Sequence, residues 1–225
     1  MHNGITELLD TTHQRVRVTE IFFSIQGEAR TVGLPTIFIR LTGCPLRCQY
    51  CDTTYAFSGG EWWTLQALHD HIQQYRTPYV TVTGGEPLAQ KSCLPLLSML
   101  CDAGYQVSLE TSGALPIHEV DTRVSRVMDL KTPGSGEAAR NCYENIDALQ
   151  TQDQVKFVIC DQPDYVWARQ KLTEYSLATR CEVLFSPSHG QLALRELAEW
   201  ILADQLPVRL QFQFHKLIWG DIPGH

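Results

Sequence analysis

The feature that most constrains the fold is a repeated order of β-rich run, turn and helical pattern along the 225-residue chain. Thr36 to Leu41 reads as a buried strand, rich in β-branched and aromatic residues. Thr64 then offers an N-cap to a helix whose one face carries Leu65, Leu68, Ile72 and Tyr75. Tyr79 to Thr83 is the next strand. Ala89 to Ala103 follows as a helix stopped by Gly104, with Pro95 marking either a later start or a kink. Further strands are expected at Gln106 to Thr111, Arg126 to Leu130, Val155 to Ile159 and Cys181 to Phe185. Helices are expected at Asp164 to Tyr175 and Leu192 to Ala203. Val208 to Phe214 alternates apolar and polar residues and reads as a last strand, with Val208, Leu210, Phe212 and Phe214 on one side. Strands joined by helices pair in parallel through right-handed crossovers, so the chain is expected to form one domain, residues 1–225, built as an α/β partial parallel barrel.

Polar or glycine-rich residues follow nearly every expected strand: Gly43-Cys44, Thr83-Gly84-Gly85-Glu86, Glu110-Thr111-Ser112, Asp129-Leu130-Lys131, Ser186-Pro187-Ser188 and His215-Lys216. In parallel α/β barrels the C-terminal strand ends form the active-site face. A polar turn taken singly is only a solvated loop. Six of them at one end of a sheet point to a site.

The chemistry is concentrated in Cys44-Pro-Leu-Arg-Cys48-Gln-Tyr-Cys51. Thiolates are soft ligands for zinc, copper(I) or iron–sulfur clusters. Structural zinc normally takes four ligands, and the next histidine, His69, falls inside an expected helix. Three cysteines suit three irons of a cubane and leave the fourth iron open. The spacing, with aromatic Tyr50 before the last cysteine, resembles the signature of the radical S-adenosylmethionine superfamily. That resemblance implies a [4Fe–4S] cluster on Cys44, Cys48 and Cys51, with Tyr50 against the adenine of S-adenosylmethionine. Gly84-Gly85-Glu86-Pro87 resembles the superfamily's GGEP turn, which contacts the methionine end. Taken by itself, its glycines let backbone amides approach a ligand, and Glu86 could accept from an ammonium.

Ile25-Gln26-Gly27-Glu28, Arg40 and Cys51-Asp52-Thr53 narrow the resemblance to the 7-carboxy-7-deazaguanine synthase family, over about Ile21 to Trp219. The resemblance implies a pterin substrate, 6-carboxy-5,6,7,8-tetrahydropterin, held by Ile25, Gln26, Gly27, Glu28, Arg40, Thr83 and His215. Magnesium is implied at Thr53, and further cofactor contacts at Asp52, Gly84, Gly85, Glu86, Ser112, Asp129, Lys131 and Ser186. Relatives often carry Ser-Pro-Lys where this chain has Asp129-Leu130-Lys131. An external flavodoxin-like one-electron reductant and a homodimer are implied as partners. The residue chemistry agrees: a carboxylate accepts adjacent pterin N–H groups, an amide offers donor and acceptor, and a guanidinium fork fits a carboxylate. A glycyl-radical activase would share the cysteine loop and the GGEP turn. A zinc-binding module would share only the cysteines.

Composition sets the outer bounds. A net charge of −7 with scattered basic residues gives no footprint for nucleic acid or an anionic membrane. No apolar run reaches membrane-span length, and Met1 to Asp10 shows no export signal. Eight cysteines in such a chain read as reduced thiols or metal ligands in the cytoplasm. Cys93, Cys101, Cys142, Cys160 and Cys181 are expected to be packing residues, and His13, His69, His71 and His118 ordinary surface or satisfied histidines.

Overall fold

The computed structural model describes residues 14–220 together with Ile222 and Gly224, so Met1 to Asp10 and His13 lie outside the described residues. One sheet of nine strands organises them, in the order β3-β1-β2-β4-β5-β6-β7-β8-β9. The strands are β1 (Arg15–Ile25), β2 (Pro35–Leu41), β3 (Glu61–Thr64), β4 (Tyr79–Gly84), β5 (Gln106–Thr111), β6 (Ser125–Asp129), β7 (Gln154–Ile159), β8 (Glu182–Pro187) and β9 (Arg209–Leu210). From β2 through β9 every pairing is parallel. β1 pairs antiparallel with both β2 and β3. The sheet is open between β3 and β9, the form of a partial barrel.

The helices are α1 (Leu65–Ile72), α2 (Cys93–Asp102), α3 (Gln162–Glu174), α4 (Leu177–Arg180), α5 (Leu194–Ala203) and α6 (Phe214–Trp219). Thr64 caps α1, its hydroxyl accepting from the Ala67 N–H at 3.1 Å, and Gly104 at φ +86° follows the end of α2. Strand alternation divides the sheet into two faces. On the helix side Ile37, Ile39, Leu41, Val80, Val82, Leu109, Val155, Phe157 and Phe185 pack against Leu65, Leu68, Leu96, Leu100, Ala168 and Leu197 in one core. Each large side chain fully buried there contributes roughly 1.5–3 kcal/mol. The opposite face carries Phe38 and Arg40, Thr81 and Thr83, Glu110, Val127 and Asp129, Lys156 and Val158, and Ser186. Its polar members gather toward the C-terminal strand ends.

Three expectations change. β1 and β3 are strands that the residue pattern does not announce. Both lie in the antiparallel part of the sheet, where β1 leads to β2 without a helix and β3 has four residues. In β1 the register also shifts between Val18 and Glu20. Such a bulge breaks the period of two and turns the following residues to the other face, so Glu20 and Phe22 lie beside Arg40 and Phe38. The helix expected from Ala89 begins at Cys93, after a 3₁₀ turn at Pro87–Ala89; Pro95 sits in its first turn, where a missing N–H costs nothing. The strand expected over Val208 to Phe214 shrinks to Arg209–Leu210, and Phe214 opens α6. Val208 and Leu210 pack against the core, but beyond the strand the alternation breaks, with Gln211 buried and Phe212 exposed. The inner face that Gln211 meets is polar: Gln211 Oε1 accepts from the Ala29 N–H at 2.7 Å.

Candidate active site

A cavity of about 630 Å³ opens at the C-terminal ends of the parallel strands, and Cys44, Cys48 and Cys51 line it from the loop after β2. Gly43, at φ +98°, turns the chain out of the strand, and its N–H donates to the Ala56 carbonyl at 2.8 Å. Gln49 anchors the middle of the loop. Its N–H donates to the Ser135 carbonyl at 3.0 Å, and its side-chain amide donates to the Gly134 carbonyl. The turn receiving Gln49 is fixed by buried Asp164, which accepts from Gly134 N–H at 2.7 Å, Thr132 Oγ1 at 2.9 Å and Cys160 N–H at 3.1 Å.

All three loop thiols are free and half-buried. Burial pushes the Cys44 and Cys48 thiols above their ordinary range, so a bound cation would stabilise the thiolates. Three soft donors on one braced loop facing a cavity fit three corners of an iron–sulfur cubane.

The Gly84-Gly85-Glu86 turn lies directly behind that loop. A Cβ on Gly85 would sit 2.3 Å from the Gly43 carbonyl oxygen and 2.8 Å from Cys44 Cβ, and one on Gly84 would sit 2.4 Å from the Leu41 oxygen. The Gly85 N–H donates to the Leu41 carbonyl at 3.1 Å and the Glu86 N–H to the Gly43 carbonyl at 2.8 Å. These two amides therefore hold the cysteine loop instead of facing a ligand. Glu86 is fully buried and does not line the cavity. Its carboxylate accepts from Thr111 Oγ1, from the Ser112 N–H and hydroxyl, and from the Leu88 N–H. Placed so, Glu86 ties the β4 turn to the end of β5, and no bond remains visible for the ammonium the sequence suggested. Gly85→Ala is expected to destabilise the protein by about 1–3 kcal/mol through overpacking and to lower the iron bound per chain. Thermal melting and iron analysis on the reconstituted variant would check both.

The remaining sequence-predicted residues, Ile25, Gln26, Gly27, Glu28, Arg40, Tyr50, Asp52, Thr53, Thr83, Gly84, Gly85, Ser112, Asp129, Lys131, Ser186 and His215, all line this cavity. Several carry constraints that only the tertiary structure shows. The Gln26 amide is engaged at both ends: Nε2 donates to Thr81 Oγ1 at 3.0 Å and Oε1 accepts from the Glu28 N–H at 3.1 Å. It sets the path of Gly27 and Glu28. Gly27 must lack a side chain because a Cβ would meet His215 Nδ1 at 2.0 Å. Burial holds the His215 imidazole below its ordinary range, against the pull of Glu28 and Asp52. Arg40 donates from Nε to Glu20 Oε1 at 2.6 Å and lies over the Phe22 ring at 5.8 Å. Among the described residues Thr53 Oγ1 makes long contacts, 3.4 Å to Asp52 Oδ1 and 3.8 Å to Cys51 Sγ.

Asp129 Oδ2 accepts from Lys131 Nζ at 2.9 Å, while Asp129 Oδ1 and the Tyr50 hydroxyl are buried without a hydrogen-bond partner among the described residues. Buried polar atoms are rarely left so, which marks this wall as one that receives a ligand. The Lys131 ammonium also lies 5.7 Å from the Tyr50 ring centroid, and Asn141 brackets the Lys131 backbone with two 2.9 Å bonds.

The chain matches the Radical SAM superfamily over residues 38–127. It is 43% identical over 213 residues to the 7-carboxy-7-deazaguanine synthase of Chlorobaculum tepidum, covering 93% of this chain and 97% of that protein. The 7-carboxy-7-deazaguanine synthase of Koribacter versatilis is 40% identical over 219 residues, 91% and 97% of the two chains. The chain belongs to the 7-carboxy-7-deazaguanine synthase family. Among solved structures, QueE from Escherichia coli superposes with a TM-score of 0.76 at 24% identity, covering 91% of this chain and 96% of that one, and so shares the fold. Family membership makes the chain a radical S-adenosylmethionine enzyme of the lyase kind, and the superfamily implies a [4Fe–4S] cluster and S-adenosylmethionine. The zinc-module and glycyl-radical-activase readings of the cysteine loop fall away. No helix among the described residues is long and apolar enough to cross a membrane.

Sequence reasoning passed over Lys156 and assigned no role to Gln211, Gln213, Tyr55 or Glu110. Lys156, Gln213, Tyr55 and Glu110 line the cavity. A signal existed for two of them. Glu110 and Lys156 are charged residues that alternate with buried Leu109, Val155 and Phe157 along their strands, which places them on the face opposite the core. Gln211 and Gln213 gave none, since their segment was read as a strand.

Proposed function

We propose that this chain converts 6-carboxy-5,6,7,8-tetrahydropterin to 7-carboxy-7-deazaguanine with loss of ammonia. The carrying observation is that one cavity holds the cysteine loop together with Glu28 and Arg40. When bound, the cluster and S-adenosylmethionine supply the hydrogen-abstracting radical, and the protein contributes position and exclusion of water. Arg40 has its Nε fixed by Glu20, leaving its outer N–H groups for a substrate carboxylate. Glu28 accepts from Lys156 Nζ at 2.9 Å and Gln211 Nε2 at 3.1 Å, both on Oε2. Among the described residues its Oε1 has no such donor, which suits it to accept a pterin N–H. Asp129 and Lys131 face the cofactor side of the same wall, with Tyr50 and Ser186.

The same reading takes in magnesium at Thr53, whose hydroxyl has no short contact among the described residues. It also takes in a homodimer, an external flavodoxin-like one-electron reductant, a cytoplasmic setting and a place in queuosine and purine-like deazapurine biosynthesis. Family membership is what supports these.

The test supplies anaerobically reconstituted enzyme with reductant, S-adenosylmethionine, magnesium and the tetrahydropterin, and seeks the deazaguanine by mass spectrometry. Cofactor cleavage without that product would send the reading to another substrate. Glu28→Gln is expected to lower kcat/KM about 10- to 100-fold, the worth of a hydrogen bond to a charged group. Cofactor cleavage in the absence of substrate should stay unchanged.

A further inference from the structure

Lys156 is the residue whose surroundings the proposed reaction leaves unexplained. It sits mid-strand in β7 with its ammonium on the cavity face, in register with Asp129 of β6. Its Nζ lies 2.9 Å from Glu28 Oε2 and 3.8 Å from Asp129 Oδ2, and its side chain is 13% exposed. Glu28 arrives from the segment after β1, Asp129 from the end of β6, and Glu110 from β5 beside them. Burial opposes the charge on Lys156, but Glu28, Asp129 and Glu110 outweigh it and raise the ammonium above its ordinary range. Burial raises the Glu110 carboxyl as well, and Lys156 is the largest influence lowering it.

The other charged groups facing this cluster have commitments of their own. Lys131 binds Asp129 at 2.9 Å and Arg40 binds Glu20 at 2.6 Å. His215 packs on Gly27, and Asp52 lies 3.5 Å from Lys216 Nζ. We propose that Lys156 is a positioning residue that keeps Glu28 and Asp129 ionised together, so that the substrate acceptor and the cofactor-side acceptor depend on one shared cation. This rests on the reading of Glu28 as the pterin acceptor and Asp129 as a cofactor contact.

The physical argument separates aim from charge. Gln211 Nε2 holds Glu28 Oε2 at 3.1 Å and is itself fixed through Ala29, so the carboxylate keeps its direction without Lys156. Gln211 carries no charge. Take away the ammonium, and carboxylates crowded in a poorly solvated wall shed their excess charge by binding a proton. A protonated carboxyl then presents an O–H where the reaction needs an acceptor.

Lys156→Met in the reconstituted holoenzyme tests this with two independent readouts. Infrared difference spectra on protein labelled at Glu and, separately, at Asp are expected to show a protonated carboxyl at neutral pH beyond any in the wild type, and it should disappear at alkaline pH. Equilibrium titration with the unreactive probe 6-carboxypterin is expected to bind roughly 30-fold or more weakly at neutral pH. Affinity should recover as pH rises, because the acidic limb of the binding profile moves upward. Lys156→Arg should keep the wild-type profile. Gln211→Ala should weaken binding while keeping the wild-type pH dependence, the mark of lost aim alone. Wild-type infrared spectra in Lys156→Met, or a binding profile that weakens without shifting, would overturn the proposal. Adding Glu28→Gln to Lys156→Met removes the excess charge with the cation and is expected to abolish the neutral-pH band. A band that survives there also overturns it, and this double variant decides the matter if the single one does not fold. Should wild-type enzyme fail to bind 6-carboxypterin, the substrate reading fails, and the infrared result alone still decides the role of Lys156.

Discussion

Cys48→Ala is expected to yield a folded, nearly colourless protein that neither acquires the cluster's broad absorbance nor cleaves S-adenosylmethionine. The three thiols share one loop whose path is set by Gly43, by Gln49 against the turn at Pro133–Ser135, and by the Gly84-Gly85 turn behind it. None of those braces uses the Cys48 thiol, so stability should change by less than about 1 kcal/mol. Cluster assembly needs every thiolate, since three ligands already leave one iron open. Cys160 is the cysteine placed to substitute, but its Sγ contacts Gln49 from the end of β7 at 3.9 Å and burial pushes its thiol up to about 12. Cys142→Ser provides the control: Cys142 donates to Glu144 at 3.2 Å outside the cavity. Its iron content and spectrum should match the wild type. A Cys48→Ala protein that keeps the cluster spectrum and cleavage activity would remove the basis for the assignment.

Asp153→Ala should have the largest effect on stability. Asp153 is fully buried just before β7, and its carboxylate accepts from the Arg126 backbone N–H at 2.8 Å, Arg126 Nε at 3.0 Å and the Gln150 N–H at 2.7 Å. Arg126 Nη2 also bonds the Asp153 carboxylate and the Ala148 carbonyl, and its side chain is 3% exposed. The alanine variant leaves a guanidinium without its anion in the core, which typically costs about 3–5 kcal/mol. For a chain of this length each kcal/mol lowers Tm by about 2–4 °C, giving a fall of roughly 6–20 °C. Differential scanning calorimetry would measure it. Arg126→Met/Asp153→Leu, which removes both charges, should recover much of the loss, because the penalty lies in the unpaired ion. The pair sits at the N-terminal end of β7, away from the cavity, so residual activity below the melting range should persist.

Much of the fold was legible because parallel strands buried on one face and covered by helices leave long apolar signals. Ile37, Ile39, Val80, Val82 and Leu109 lie in strands the pattern announces and in the core of the structure. The antiparallel margin was not legible. β1 carries a bulge between Val18 and Glu20, and β3 is four residues long. A broken period and a short edge strand leave too little pattern to read.

The site divides in the same way. The cysteine spacing is a local signal, because one loop supplies every thiol and the ligand chemistry needs no distant partner. Cys44, Cys48, Cys51 and the turn at Gly84-Gly85 could therefore be named from the residues alone. What those residues do to one another was decided by tertiary structure. Glu86 resembled a ligand for an ammonium, yet burial consumes it in tying β4 to β5. Gln26 offered two donors and two acceptor sites, yet one N–H goes to Thr81 and the oxygen accepts from the Glu28 backbone, leaving one of each. Lys156 stands 128 residues from the carboxylate it neutralises. Coulomb and desolvation energies depend on distance and burial in the folded state, which chain order does not encode. The sequence by itself thus determined the sheet's parallel body and the metal-binding loop. Only folding decided which polar groups remain free for a ligand and which are already satisfied.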